Sequence, residues 1–156
     1  MTLARFNAAP AGEAVAEMLG CCASGRFAAA LAGGRPYPSV AAAEDAANTI
    51  FSLMTWHDVR EALDAHPRIG ARVSGQSAAE QSGVADGSRA ALLAGNAAYE
   101  ERFGHVFLIC ATGLSGEQML AALRRRLDND EESERMAAAA ELRKITLLRL
   151  RKALIG

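Results

Sequence analysis

The sequence predicts an all-α fold, a single compact domain of about seven or eight helices with a long central loop region. Three observations carry that expectation. Apolar residues fill 51% of the 156 positions while aromatics fill only 5%. The core is therefore assembled from small side chains, many of them Ala, and helices carrying small side chains can pack closely. Apolar residues also recur at helical spacing from end to end, most runs being opened by a residue suited to cap a helix. Only Val106–Ala111 reads as a strand, and one strand has no partner.

Taken in order, Ala11 to about Leu19 carries Ala14, Val15, Met18 and Leu19 on one side. Ser24 caps a short helix through Leu31, stopped by Gly33-Gly34 and the Pro36-Tyr37-Pro38 turn. Ser39 caps a longer helix to about Met54, with Val40, Ala43, Ala47, Ile50 and Met54 as its inner face. Thr55 and Asp58 form a capping box ahead of Trp56, Val59 and Leu63. That helix ends near Ala65, because Pro67 disfavours helical geometry at His66. From His66 to about Ser88 the periodicity is almost lost, and Gly70, Gly75, Gly83 and Gly87 punctuate the stretch. Loops of this length inside a domain are uncommon and often functional.

Helix resumes from about Ser88 to Phe103, carrying Leu92, Leu93, Ala97 and Tyr99, and Gly104 ends it. Val106–Ala111 reads either as buried extended chain or as the first turns of a buried helix. Ser115 with Gln118 opens a helix to about Leu127. Asp130-Glu131-Glu132 then begins the last helix, and Arg143, Lys144, Arg149, Arg151 and Lys152 crowd its far end, a polarity that complements the helix dipole. Its Leu142, Ile145, Leu148 and Leu147, Leu150, Leu154 sets make a broad apolar surface. No repeat and no linker divides residues 1–156.

Charge is nearly balanced, with 17 Lys and Arg against 18 Asp and Glu. Nucleic-acid binding is thereby excluded as the main role, since phosphate contacts call for a strong basic excess. Arg124-Arg125-Arg126 and Arg149/Arg151 are offset by neighbouring acids and read as a solvated face. No apolar stretch reaches the ~18–20 residues of a membrane span, and Met1–Asn7 lacks the features of a signal peptide. The expectation is a cytoplasmic protein without nucleic-acid or membrane partners. Cys21, Cys22 and Cys110 are an odd set without metal-ligand spacing, and read as reduced, partly buried thiols.

His66-Pro67-Arg68-Ile69-Gly70 sits where a helix stops and the long loop begins. His66 can exchange a proton near neutrality, with Pro67 fixing the backbone beside it; alternatively it bonds the last carbonyls of the helix. Ser77-Ala78-Ala79-Glu80-Gln81 likewise has two readings, a plain capping box or a helix start whose N–H groups, with Ser77, Glu80 and Gln81, hold an anionic ligand. His57 falls in a helix's first turn and reads as solvated. His105, between Gly104 and an apolar run, reads as a core or rim histidine. The three histidines lack the spacing of a metal site.

His66-Pro67-Arg68-Ile69-Gly70, Ser77-x-x-Glu80-Gln81 with Gly83, and Asn96-x-x-Tyr99-x-x-Arg102-Phe103-Gly104-x-x-Phe107-Leu108-Ile109-Cys110 together resemble the 2-oxo-4-hydroxy-4-carboxy-5-ureidoimidazoline (OHCU) decarboxylases. Cys21-Cys22-x-Ser24, Arg35-Pro36 and Glu141-Leu142-x-Lys144-Ile145-x-x-Leu148-Arg149-Leu150 are similar to the same family, so the resemblance spans nearly the whole chain. It implies an all-helical, cofactor-free enzyme of urate degradation, commonly a homodimer, that converts OHCU to (S)-allantoin with release of carbon dioxide. By motif, His66 is the acid/base. Pro67, the segment Ser77, Ala78, Ala79, Glu80 and Gln81, and the segment Phe107, Leu108, Ile109, Cys110 and Ala111 line the substrate. Glu80 would bond the substrate's N–H groups and orient the imidazole. Many members carry a basic residue after the second segment, where this sequence has Thr112-Gly113, so the group that meets negative charge is left open, with Arg68 as one candidate. It is not expected to clamp the departing carboxylate bidentately, which would stabilise the ground state over the transition state. Many eukaryotic members end in a peroxisomal tripeptide; Leu154-Ile155-Gly156 points instead to a bacterial-type cytosolic form. The rival reading is a non-catalytic helical interaction domain that uses the apolar face of the last helix.

Overall fold

A computed structural model describes residues 1–68 and 86–156. Among them the chain forms eight helices and no strand: α1 (Leu3–Ala8), α2 (Ala11–Cys21), α3 (Gly25–Gly33), α4 (Val40–Leu53), α5 (Trp56–Asp64), α6 (Asp86–Phe103), α7 (Gly116–Leu127) and α8 (Glu131–Ile155). The expected caps are in place. Ser24 and Ser39 accept from the N–H groups of Phe27 and Ala42 at 3.2 and 3.1 Å. Thr55 with Asp58 and Ser115 with Gln118 exchange reciprocal bonds. Asp130 accepts from the Ser133 N–H at 2.7 Å, which opens α8 and holds the Asp130 carboxyl below its ordinary range. α1 has no counterpart among the sequence expectations. It is six residues long, capped by Thr2, and buries only Phe6, so no apolar periodicity marks it.

Two compact units are built from these elements, Met1–Ala62 with Leu142–Gly156, and Leu63–Glu141. In the first, α2 packs on α3 and α3 on α4. Its core is small-grained, as composition predicts: Ala14, Ala28, Ala43 and Ala47 are buried beside Phe6, Met18, Phe27 and Leu31. Arg35 closes two helix ends at once, donating to the carbonyls of Ala32, Phe6 and Ala9 at 2.7–2.8 Å. These are carbonyls that helix termini leave without intrahelical partners. Cys21 and Cys22 are free and buried, and burial pushes their thiols up to about 12 and about 11.

In the second unit α6 packs on α7. Leu92, Tyr99, Phe107, Ile109, Ala111, Met119, Ala122 and Leu123 form one buried cluster, flanked by Phe103, Leu114, Leu120 and Leu127. Leu93 and Ala97 fall outside it and are exposed, because the helical period aligns positions 92, 96, 99 and 103 instead. Two glycines set the turns. Gly104, at φ +78°, donates to the Glu100 carbonyl at 2.8 Å and ends α6 in a left-handed cap. Gly113, at φ +81°, shapes the turn in which Leu114 donates to the Ala111 carbonyl. No helix among the described residues is long and apolar enough to cross a membrane.

Glycines 20 and 95 make a matched pair. A Cβ on Gly20 would meet nothing within 4 Å, whereas one on Gly95 would overlap Cδ2 of the buried Leu123. Gly20→Ala is expected to raise the unfolding free energy by about 0.5–1 kcal/mol through helix propensity. Gly95→Ala is expected to lower it by about 1–2 kcal/mol through overpacking. Urea unfolding of both variants checks the opposite signs.

Candidate active site

Every described candidate residue belongs to the second unit. His66 stands just past α5, its N–H donating to the Leu63 carbonyl at 3.0 Å, so the helix ends where Pro67 requires. His66 and Pro67 are half-buried and Arg68 is exposed. The Arg68 guanidinium grips the Glu100 carboxylate with both arms, Nε to Oε1 at 2.6 Å and Nη2 to Oε2 at 2.9 Å. Glu100 in turn raises the guanidinium pKa. With side chains 58% and 24% exposed, this pair adds little to stability; its consequence is geometric, since it ties the chain after His66 to the last turn of α6. Ser77, Ala78, Ala79, Glu80 and Gln81 lie outside the described residues, as do Ile69 and Gly70.

Phe107–Ala111 is extended chain that is neither helix nor strand, the first of the two expected alternatives. Side chains alternate along extended backbone: Phe107, Ile109 and Ala111 enter the α6–α7 core, while Leu108, also buried, and the half-buried Cys110 fall on the other side. The Phe107 ring stands edge-on to Tyr99, with centroids 5.3 Å apart. Tyr99 and Glu100 are neighbours in α6, so one residue docks the apolar run and the next docks the segment after His66.

A buried run without regular structure must find other partners for its peptide groups, and helix side chains supply them. The Leu108 carbonyl accepts from Nη1 of Arg126, and the Cys110 N–H donates to the Glu141 carboxylate at 3.2 Å. Arg126 also donates from Nε to Glu134 at 2.7 Å. Its Nη2 lies against the same oxygen, although without hydrogen-bonding geometry. Its guanidinium covers the Phe107 ring at 4.5 Å. Glu134 is wholly buried and accepts as well from the Tyr99 hydroxyl at 2.5 Å and from Asn129 Nδ2 at 3.0 Å. Burial, reinforced by Glu134, pushes the Tyr99 phenol well above its ordinary value, so it stays protonated and donates.

The solvated basic face expected of residues 124–126 holds for Arg124 and Arg125, which are exposed. It fails for Arg126, whose side chain is only 11% exposed. The helical period gives the reason, since position 126 follows 119, 122 and 123 on the buried side of α7. Glu100, Arg126 and Glu134 are the residues that sequence reasoning missed, and the alignment of Arg126 with those three buried positions was the available signal. His57 is exposed. His105 is buried, its Nδ1 3.0 Å from the Val106 carbonyl and its ring edge-on to Tyr99. No group of three His, Cys, Asp or Glu side chains among the described residues could hold a metal ion.

The family model described as OHCU decarboxylase matches residues 7–151. The chain is 35% identical over 144 residues to the uric acid degradation bifunctional protein TTL of Arabidopsis thaliana, covering 85% of this chain and 44% of that protein. It is 47% identical over 55 residues to the 2-oxo-4-hydroxy-4-carboxy-5-ureidoimidazoline decarboxylase of Amia calva, covering 35% of this chain and 31% of that protein. These matches span less than half the length of either curated relative. A crystal structure of an OHCU decarboxylase determined in the presence of (S)-allantoin superposes with a TM-score of 0.79 at 34% identity, over 87% of this chain and 95% of that one. An (S)-allantoin synthase structure shares the fold, with a TM-score of 0.74 at 21% identity over 99% of this chain and 54% of that one.

The Tyr99–Glu134 bond has a pH signature. Tyr99→Phe is expected to cost about 1.5–3 kcal/mol of stability at neutral pH, because the buried carboxylate loses a donor. The folded-state pKa is raised, so this contribution is complete below the ordinary value of 10.0 and is lost as pH rises beyond it. Denaturant unfolding from pH 7 to 11 should show the gap between wild type and variant closing above pH 10.

Proposed function

The chain belongs to the OHCU decarboxylase family, and on that premise we propose that it converts OHCU to (S)-allantoin and carbon dioxide in urate degradation. The observation that carries this reading is the shared anchorage on α6. The segment that follows His66 and the buried run Phe107–Ala111 are held by the consecutive residues Glu100 and Tyr99. Motif residues that lie 41 positions apart in sequence, His66 and Phe107, therefore depend on one helical turn.

In the proposed reaction the bond from the ring carbon to the departing carboxylate breaks, and its electron pair moves into the neighbouring ring C=N, whose nitrogen takes a proton. The hydroxyl on the same ring carbon then gives up its proton as a carbonyl forms, and the adjacent carbon is protonated on one face. Carboxylate is exchanged for hydrogen with one proton consumed, so no external oxidant or reductant is needed. His66 is the group assigned to these proton transfers, a kind of help typically worth about 10²–10⁴-fold. Glu80, Ser77 and Gln81 would bond the ureido and ring N–H groups and orient the imidazole. Pro67 and the run Phe107–Ala111 would form the opposite wall. Since the Cys110 amide is engaged by Glu141, the run's donors toward substrate oxygens would be the amides of Leu108, Ile109 and Ala111. Arg68, with its Nε and Nη2 on Glu100, would contribute positive potential rather than a bidentate clamp.

A cytoplasmic homodimer completes the reading. Most of the apolar face of α8 is taken up inside the chain, with Leu142, Ile145, Leu150 and Leu154 buried. This weakens the case for a helix devoted to a foreign partner. Leu148 and Ile155, seven residues apart and exposed, remain to extend a contact between copies. Sedimentation at micromolar concentration should report twice the chain mass; a monomer there removes the dimer.

Freshly generated OHCU, followed by circular dichroism of the allantoin formed, tests the chemistry. His66→Ala and His66→Asn should lower the enzymatic rate by about 10²–10⁴-fold. A variant that forms (S)-allantoin at the wild-type rate would overturn the role of His66.

A further inference from the structure

We infer that Arg126 is a positioning residue for the substrate wall, acting through the Leu108 carbonyl. The inference rests on the reading that the peptide run 107–111 faces the substrate, and it adds the device that fixes the run's conformation.

Extended chain inside a helical unit has no neighbouring strand to set its register. Two pins take that place. Glu141 of α8 takes the Cys110 N–H, and Arg126 of α7 gives Nη1 to the Leu108 carbonyl. The pins engage the peptide groups of alternate residues, Leu108 and Cys110, while the side chains of Phe107, Ile109 and Ala111 are fixed in the core. Peptide orientation is thereby set from both sides, and with it the direction of the amide donors between the pins. Arg126 suits this task because its planar fork serves several acceptors in fixed directions. One edge lies on Glu134, Nη1 meets the Leu108 carbonyl, and its face lies over Phe107. Glu134 is in turn fixed by Tyr99 and Asn129. The guanidinium thus has little freedom to turn.

The arrangement does not serve stability alone. A buried ion pair gives no assured stability over apolar side chains of similar volume. A fork that ends on a main-chain carbonyl of the substrate wall supplies what apolar packing cannot, a fixed rotation of that peptide.

Arg126→Lys separates positioning from folding, since an ammonium keeps the charge beside Glu134 but not the fork geometry. A displacement of the wall by about 1 Å is expected to reduce kcat/KM for OHCU about 10²-fold. At least a tenfold part should appear in KM, with (S)-allantoin binding weakened by the same factor. Partial unfolding would lower kcat and leave KM unchanged, so the KM change is the readout that a merely structural role does not move. A second variant removes the buried charge altogether: Arg126→Met with Glu134→Gln keeps an acceptor for the Tyr99 hydroxyl and should fold where the lysine variant does not. It is expected to show the same rise in KM. A folded variant of either kind with KM and (S)-allantoin affinity within twofold of wild type would overturn the inference. Wild-type protein that fails to accelerate OHCU decarboxylation would instead overturn the functional reading on which the inference rests, so the two failures are distinguishable.

Discussion

Peptide groups taken out of water need hydrogen-bond partners, and a helical unit has no free backbone to offer them. That requirement bears hardest on residues 107–111, whose extended chain runs through a core made otherwise of α6 and α7. Side chains meet it. Arg126 and Glu141 replace the neighbouring strand that a sheet would provide, and much of the second unit is arranged to hold them. The carboxylate of Glu134 is buried because Arg126 is buried. Tyr99 stays a phenol because it is buried and donates to Glu134. The last turn of α6 stands at the crossing of these contacts and of the tie to Arg68.

The residues around this constraint divide between those that set position and the one to which chemistry is assigned by proposal. Tyr99, Arg126 and Glu134 touch backbone or one another, and Glu100 holds the Arg68 guanidinium. The imidazole at residue 66 stands at a helix end, where the chain has just been released from its hydrogen-bond ladder and is then caught again through Arg68. The backbone on either side of residue 66 is thereby held, by Leu63 before it and by Glu100 after it.

Much of the fold was legible in the sequence because it is written in local signals. Ser24, Ser39, Thr55 with Asp58, and Ser115 with Gln118 mark helix starts through bonds that span three residues, and Gly104 marks an end. α1 was not legible, since one buried phenylalanine makes no period. His66 could be singled out because Pro67 breaks the helix beside it. The Arg68–Glu100 pair could not, because 32 residues separate its members and 17 basic side chains could have met any of 18 acidic ones. Arg126 was misread for a related reason. A run of three arginines looks uniform in sequence, and only the helical period, applied residue by residue, turns one of the three inward.

Successive side chains of an α-helix project about 100° apart, so Tyr99 and Glu100 point one toward the interior and one toward the rim from the same rigid rod. They cannot move independently. A twist of that rod drives the aromatic end and the acidic end through the same angle, carrying with them whatever each one holds. α6 is in this sense a shared axle, and a substitution that loosens its seating, such as one at Gly95 a single turn earlier, would shift the run 107–111 and the segment after His66 together.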